Sequence, residues 1–243
     1  MKMTRYEQVY QLTYLPNVFP VNCYLVEEEK SLTLIDAAMP NNAAAILKAA
    51  EQIGKPITRI VLTHAHSDHI GALDALKKQL SDVTVYISAR DSRLLNGDRS
   101  LDPTEADTPI RGGVPKPGKI ATRPDVLLQD GDRVGSLLAV STPGHTPGSM
   151  SFLDSRSHAL IAGDALQTRG GIAVSGQMMP WFPFPAMATW NNIESLRSAM
   201  KLLKLKPTLL AVGHGKMLEN PEAAMEQAIK TASRKLDAVL MHE

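Results

Sequence analysis

The stretch from Ile60 to Gly71 constrains this chain most, because three histidines and an aspartate follow an apolar run within six residues. Ile57 to Leu62 is apolar and rich in β-branched residues, which predicts a buried strand. From Ile70 to Leu80 the apolar residues recur at helical spacing, which predicts a helix that Asp68 would cap. The polar cluster therefore lies at a strand-to-helix junction.

The polar side chains of this junction are His64, His66, Asp68 and His69. A single histidine or aspartate would be typical of a solvated loop. Four groups this close are different, because neutral imidazoles and carboxylates are ligands that zinc and related divalent ions prefer. His64 and His66 are two residues apart, so an extended backbone directs both side chains the same way. The junction therefore predicts a metal site.

Three further candidate ligands each follow a predicted strand downstream: His145, Asp164 and His214. Glycines flank all three, and glycine lets the backbone approach a shared point closely. Side chains from several strand ends that meet at one edge are a common way to build a site on an α/β scaffold. His158 is predicted to lie on the surface, and His242 lies at the C-terminal end.

The sequence His64-Ala65-His66-Ser67-Asp68-His69 resembles the HxHxDH signature of the metallo-β-lactamase superfamily, and the downstream candidates follow in the family's order. The resemblance implies one α/β domain over residues 1–243, folded as a four-layer αββα sandwich of two mixed β-sheets flanked by helices. Periodicity alone predicts only a one-domain α/β protein. The resemblance also implies that His64, His66 and His145 bind one metal ion, that Asp68, His69 and His214 bind a second, and that Asp164 bridges both.

Asp36, which ends an earlier predicted strand, admits two interpretations. It is either a turn carboxylate or a buried residue that orients the metal-binding loop, since metal ligands need hydrogen-bond partners of their own.

The resemblance implies a metal-dependent hydrolase that holds two divalent ions. Zinc is the first expectation for the cofactor, with iron and manganese as alternatives. Two ions about 3.5–4 Å apart hold a bridging water and lower its pKa, so that the resulting hydroxide attacks a carbonyl centre. Asp68 is the catalytic candidate, because it can accept a proton and deliver it to the leaving group.

The residue at the bridging position narrows the expected reaction. A carboxylate there, as in Asp164, is similar to glyoxalase II-type thioesterases, lactonases and phosphodiesterases, whereas true β-lactamases of the family carry Cys or Ser. We therefore expect cleavage of an ester-like carbonyl bond, a lactone or thioester, in a small-molecule substrate. The alternatives are a phosphodiesterase and an iron-dependent oxidoreductase similar to persulfide dioxygenases, which use a single iron.

Composition excludes several other classes of protein. The chain of 243 residues has a formal net charge of +1 and no long basic stripe, so no nucleic-acid partner is expected. Cys23 is its single cysteine, which excludes an internal disulfide. No apolar run has the length of a membrane span, and no signal peptide is evident, so we expect a cytoplasmic protein without a membrane partner. A homodimer stays open.

Two segments lack a regular pattern. Asn96 to Lys119 is rich in glycine and proline, and is either a lid or a solvated insertion. Met178 to Met187 is apolar and too rich in proline for a helix or central strand. Its aromatic residues, Trp181, Phe182 and Phe184, are predicted to line an apolar pocket beside the metals, with a dimer contact as the alternative.

Two helices are predicted with defined ends. Asparagine caps a helix over Ala43 to Ile53, and Gly54 ends it. Thr189 is predicted to cap a later helix with Ile193, Leu196, Met200 and Leu203 on its core face.

Overall fold

The structure, a computed structural model, describes residues 1–240. The first half of the chain forms a seven-stranded sheet in which the strands lie in chain order. They are β1 (Lys2–Tyr6), β2 (Val9–Tyr14), β3 (Val21–Glu27), β4 (Leu32–Ile35), β5 (Ile57–Val61), β6 (Thr84–Ser88) and β7 (Val126–Leu128). Strands β1 to β4 pair antiparallel and β4 to β7 pair parallel. The carboxyl ends of β4, β5 and β6 therefore share one edge with the start of β3.

The second half forms another mixed sheet, in which antiparallel strands are again followed by a parallel pair. Its strands, with a separate two-stranded ladder, are β8 (Arg133–Val134), β9 (Leu137–Ser141), β10 (Met150–Asp154), β11 (Ala159–Ile161), β12 (Leu166–Gln167), β13 (Ala173–Val174), β14 (Leu209–Ala211) and β15 (Leu218–Glu219). The order in the sheet is β15-β14-β11-β10-β9-β8, and the ladder is β12-β13. Strands β11 and β14 are parallel and the other pairs antiparallel, so β9, β11 and β14 all run in one direction.

Helices cover the outer faces of both sheets. They are α1 (Ala43–Ile53), α2 (Ser67–Ile70), α3 (Leu73–Gln79), α4 (Asp91–Leu95), α5 (Phe184–Ala188), α6 (Asn192–Leu203) and α7 (Glu222–Leu240). One apolar cluster joins the first sheet to α1 and α3, and another joins the second sheet to α6 and α7. A third cluster lies between the sheets. Three apolar layers separate four layers of secondary structure, which confirms the αββα sandwich.

The side chains of β3 alternate between the two faces of the first sheet, so this strand contributes to two of the apolar layers. Cys23 and Leu25 belong to the cluster beneath the helices, whereas Tyr24 and Val26 belong to the cluster between the sheets. Successive side chains of a strand point to opposite faces, so a strand covered on both sides is apolar at every position. Cys23 is a fully buried strand residue, as its apolar surroundings predict.

The predicted helix after the metal-binding junction is divided in two. Helix α2 ends at Ile70, Ala72 is the N-cap of α3, and His66 rather than Asp68 occupies the N-cap position of α2. The break follows from close packing, because the Gly71 N–H donates to the Ala38 carbonyl at 2.8 Å. Asp68 instead lies in the first turn of α2, where its carboxylate is directed to other partners.

Helix α5 contradicts the prediction that Met178 to Met187 forms no helix. Pro183 is its N-cap and Pro185 lies in its first turn. Proline is tolerated there because the first N–H groups of a helix have no intrahelical acceptor. The prediction treated these prolines as interior residues, which they are not.

The predictions for α6 are also wrong in detail. Its N-cap is Asn191, whose side chain accepts from the Ile193 and Glu194 N–H groups, and Thr189 ends α5 instead. Of the four residues predicted on the core face, Leu196 and Leu203 pack partly buried against the core, whereas Ile193 and Met200 are exposed. The fully buried face of α6 consists mainly of small residues: Ser195, Ser198 and Ala199, with Leu202. Helix α1 has its predicted bounds, and Gly54 ends it in the left-handed conformation with φ 82°. Among residues 1–240, no helix is long and apolar enough to cross a membrane.

Candidate metal centre

The seven predicted ligands come together at one edge of the sandwich. His64 and His66 follow β5, and Asp68 and His69 lie in α2. The other three follow the co-directional strands β9, β11 and β14: His145, Asp164 and His214. Six of the seven residues are buried, and only the Asp68 side chain is partly exposed, at 26%. The two sheets therefore bring together side chains from distant parts of the chain.

The donor atoms form two groups with Asp164 between them. His64, His66 and His145 make one group, and Asp68, His69 and His214 make the other. The Asp164 Oδ2 atom lies 3.4 Å from His145 Nε2 and 3.2 Å from His214 Nε2, so it faces both groups. Ligands bound to one tetrahedral zinc at 2.0–2.2 Å are about 3.3–3.6 Å apart. The spacing therefore suits one ion in each group and a carboxylate shared by both.

Hydrogen bonds outside the site fix which nitrogen of each imidazole faces inward. His66 Nε2, His69 Nδ1 and His214 Nδ1 donate to the Arg111 carbonyl (3.0 Å), the Asp36 carboxylate (2.8 Å) and the Pro20 carbonyl (2.7 Å). These three oxygens can only accept, so each of the three nitrogens carries the proton. The opposite nitrogen of each ring therefore presents a lone pair to the site.

Hydroxyl chains fix the other two imidazoles in the same way. The Thr189 hydroxyl donates to the Pro185 carbonyl, so the Ser175 hydroxyl must donate to Thr189 and accept from His145 Nδ1. Likewise the Thr63 hydroxyl donates to Asp36 and accepts from His64 Nδ1. His145 and His64 thus also present Nε2 lone pairs to the site.

This arrangement is unfavourable unless a cation is present. His66 Nδ1 and His145 Nε2 are 3.0 Å apart, although neither carries a proton in the tautomers derived above. Within the described residues, His64 Nε2, His69 Nε2 and Asp164 Oδ1 are buried without any hydrogen-bond partner. Buried polar atoms without partners are costly. Five imidazole lone pairs and two carboxylates are also the donor set that divalent transition metals prefer, so the residues fit two such ions.

The electrostatics divide the two groups. Burial lowers the pKa of His64 well below its usual range and that of His145 to about 3, which leaves both rings neutral for metal binding. Burial acts in the same direction on His69 and His214, but the carboxylates of Asp164 and Asp68, with Asp36 as well at His69, together outweigh it and raise the pKa of both rings. Burial opposes ionisation of Asp164, yet these two histidines hold its pKa well below the usual value. Metal binding at the second group must therefore displace protons.

Asp36 is the buried orienting residue rather than a turn carboxylate. It is 2% exposed, and its two oxygens accept from the Thr63 N–H, the Thr63 hydroxyl and His69 Nδ1, each at 2.8 Å. Through Thr63 it also fixes the His64 ring. One carboxylate at the end of β4 therefore orients a ligand from each group.

Asp91 has a similar role that the sequence analysis missed. It is fully buried at the start of α4, and its oxygens accept from the Ala65 N–H (3.0 Å), the Thr146 hydroxyl (2.8 Å) and the Gly148 N–H (2.8 Å). It thus joins the loop of His64 and His66 to the loop of His145. Burial raises the pKa of Asp91 to about 6. In the sequence, Asp91 could be recognised only as an acidic residue that follows an apolar strand, the same pattern that drew attention to Asp36.

A pocket of about 290 Å³ opens onto the ligand groups. Its apolar wall comes from Phe19, Met39, Phe184, Pro185 and Ala188. A larger groove of about 600 Å³ lies between the edge strands β1 and β15 and contains none of the seven ligands.

The apolar segment lines this pocket only in part. Phe19, Phe182 and Phe184 pack together with ring centroids 5.0–5.4 Å apart, and the Phe19 and Phe182 rings also contact the His214 ring. Phe182 is buried behind the wall, and Trp181, which is 86% exposed, does not line the pocket. The prediction is therefore correct for Phe184 and wrong for Trp181 and Phe182.

Known proteins share this chain's sequence and fold. Residues 16–214 match the family model of the metallo-beta-lactamase superfamily. The chain belongs to this superfamily, whose members are generally metal-dependent hydrolases. An uncharacterised Bacillus subtilis protein, YobT, is 57% identical over 96% of this chain and its own full length. An acyl-coenzyme A thioesterase from Gallus gallus, MBLAC2, is 28% identical over 76% of this chain and 67% of its own.

Solved structures of the superfamily support the same assignment. The structure of TTHA1623 in a di-iron-bound form has a TM-score of 0.64 and 28% identity, and it covers 88% of this chain and 96% of its own.

The two remaining histidines lie apart from this centre. His158 is exposed, as predicted, and His242 lies outside the described residues.

We predict that Asp36→Ala weakens metal binding, because it leaves His69 Nδ1 and the Thr63 hydroxyl without their acceptor. Loss of such an outer partner typically costs about 10–100-fold in metal affinity. Zinc titration against a competing chelator measures the change. Asp74→Ala is the matched control, since Asp74 accepts three hydrogen bonds from Ala121 and Thr122 and is not a ligand. Equal affinities in the two variants would contradict the role of Asp36.

Asp91→Asn is predicted to destabilise the fold and to weaken the metal group that includes His66 and His145. Each carboxylate oxygen of Asp91 accepts at least one hydrogen bond. In Asp91→Asn the amide nitrogen replaces one of these oxygens, and it must then face an N–H or O–H donor. A buried group left unsatisfied costs about 1–3 kcal/mol in the free energy of unfolding. Urea unfolding of the metal-free protein and chelator-competition titrations check both effects. Wild-type stability together with wild-type affinity would show that this link is not needed.

Proposed function

We propose that the protein hydrolyses an ester-like carbonyl bond, a thioester or a lactone, in a small molecule with an apolar acyl group. The observation that carries this proposal is the pocket, in which an apolar wall lies beside five of the seven candidate ligands: His66, Asp68, His145, Asp164 and His214. A small-molecule site of this type combines a mainly apolar lining with a few polar groups at the reacting centre. The bridging carboxylate of Asp164 supports the same substrate class.

Residues of the chain can supply both positioning and proton transfer. When bound, two divalent ions would lower the pKa of a water molecule and polarise the substrate carbonyl. Asp68 lines the pocket and is the most exposed of the seven candidate ligands. Its carboxylate can accept the proton of the attacking water and transfer it to the leaving group. Phe19 and Phe184 exclude water from the acyl side and orient the acyl chain.

The choice between thioester and lactone rests on the relatives. The protein from Gallus gallus is named an acyl-coenzyme A thioesterase, and a thioester with an apolar acyl chain would suit the wall of this pocket. We therefore place thioesters first and lactones second. Cytoplasmic location and zinc as the metal belong to the same proposal.

An iron-dependent oxidoreductase of the same fold is the competing function. The similarity to a protein described in a di-iron-bound form favours testing iron. An oxidoreductase of the persulfide dioxygenase type uses a single iron, whereas this chain keeps both ligand groups complete. Metal analysis combined with an oxygen-consumption assay separates the two functions.

We predict that the metal-reconstituted protein hydrolyses thioesters or lactones and that this activity depends on Asp68. Asp68→Asn should lower kcat by about 10²–10⁴-fold, as expected when a proton-transfer group is lost. The measurement compares thioester, lactone, phosphodiester and β-lactam substrates, with the metal content of each preparation determined in parallel. Phosphodiester turnover alone, or full activity of metal-loaded Asp68→Asn, would contradict the proposal.

Activity is also predicted to rise with acyl-chain length in a way that depends on Phe184. Phe184 is half-exposed, so its further burial against a ligand is worth about 1 kcal/mol, or roughly fivefold in kcat/KM. Phe184→Ala should lose this factor on long-chain substrates and little on short ones. Trp181→Ala is the matched control, because Trp181 lies in the same segment but outside the pocket. Equal losses on both chain lengths would assign Phe184 a structural role.

A further inference from the structure

The irregular segment 96–119, called the strap below, is tied directly to the metal-binding junction. Residues 96–119 contain no helix or strand. Two of their carbonyls nevertheless accept from the junction: Arg111 from His66 Nε2 at 3.0 Å, and Gly113 from the Ser67 N–H at 2.9 Å. The strap therefore supplies the hydrogen bond that fixes the tautomer of one metal ligand.

Gly112 lets the strap approach the His66 ring this closely. A Cβ atom at Gly112 would lie 2.5 Å from both Cε1 and Nε2 of His66 and 3.1 Å from the Ala188 Cβ. Its φ of +81° also lies in the left-handed region that L side chains rarely adopt. A side chain here would therefore displace either the ring or the strap.

Arg99 holds the part of the strap that contacts the ring. Its guanidinium donates to the carbonyls of Ile110 (3.2 Å), Gly112 (3.4 Å) and Val114 (3.3 Å), which surround Arg111. The planar guanidinium can donate to several acceptors at once, which the lysine ammonium cannot do in this geometry. The side chains of Ile110 and Val114 are buried in the core beneath the helices.

Further contacts fix both halves of the strap to the domain. Arg90 binds the Glu105 carboxylate through two nitrogens at 2.6 and 2.9 Å, and paired bonds of this type are strong and specific in orientation. Arg93 contacts Asp102 at 2.6 Å. Trp190 Nε1 donates to the Thr108 carbonyl at 3.0 Å. These contacts tie both halves of the strap to the domain, although most of its residues are exposed to solvent.

We propose that the strap is a positioning element for His66, in which Gly112 and Arg99 are the positioning residues. The Arg111 carbonyl keeps the proton on His66 Nε2 and so directs the Nδ1 lone pair toward His145 and the first metal ion. Neither Gly112 nor Arg99 contacts the reacting atoms. The strap contacts the His66 ring directly, whereas it reaches the second group only through the backbone, where the Gly113 carbonyl accepts from the Ser67 N–H at the start of α2. We therefore expect its main effect at the metal site that includes His66.

The test measures metal binding and does not depend on which substrate the enzyme uses. Zinc is titrated into the metal-free full-length protein against a competing chelator, and both dissociation constants are fitted. For Gly112→Ala we expect one constant to rise about 10–100-fold, the usual effect of losing an outer partner, while the other stays within twofold. Gly118→Ala is the matched control, because Gly118 lies in the same strap at φ +74° with nothing within 4 Å of an added Cβ.

A second variant keeps the inference testable if Gly112→Ala does not fold. Arg99→Ala leaves the Arg111 carbonyl and Gly112 in place but removes three donors, so we expect a smaller, several-fold loss at the same single site. Thermal unfolding of each metal-free variant reports general destabilisation. Two unchanged constants, or equal losses at both sites that follow the loss of thermal stability, would overturn the proposal.

Discussion

Seven electron-pair donors point into one cavity, and the rest of the structure follows from the need to hold them there. In each imidazole the nitrogen that faces away from the site donates to a protein acceptor, so no ring can rotate without losing that bond. Without a cation, inward nitrogens of the first group face one another or lack a partner. In the second group, nearby carboxylates raise the pKa of both imidazoles, so protons compete for the same nitrogens. Such a cluster persists only where the surrounding fold determines each side chain independently, and here both sheets contribute to that.

The sandwich provides this support through the direction of its strands. The carboxyl ends of β4, β5 and β6, the start of β3, and the ends of β9, β11 and β14 all meet at the same edge. Ligands come from some of these ends and their hydrogen-bond acceptors from others: Asp36 follows β4, Asp91 follows β6 and Pro20 precedes β3. Ligands and supporting groups therefore lie on the same rigid elements, which keeps the donor spacing narrow.

The sequence predicts the seven candidate ligands that the structure brings together, but it does not predict most of the groups that support them. Histidine and aspartate residues at short spacing after a strand indicate a metal site, and this pattern is visible in the local sequence. Asp91 acts by joining Ala65 to Thr146 and Gly148, and only the packing of the two sheets reveals that juxtaposition. The strap acts through the carbonyl of Arg111, an atom that every residue type possesses. Helix α5 was missed because its prolines occupy the first turn, where the usual rule against proline does not hold.

The two groups of candidate ligands differ in charge. The first group consists of three imidazoles whose burial keeps them neutral, with Asp164 as its only carboxylate. The second contains Asp68 as well, and its histidines hold protons more strongly because carboxylates surround them. A divalent ion in the second group would compete with protons and would lie beside Asp68, the most exposed of the candidate ligands. Asp91 and the strap join the buried first group to neighbouring loops, whereas the second group includes Asp68, the most exposed candidate ligand, at the pocket.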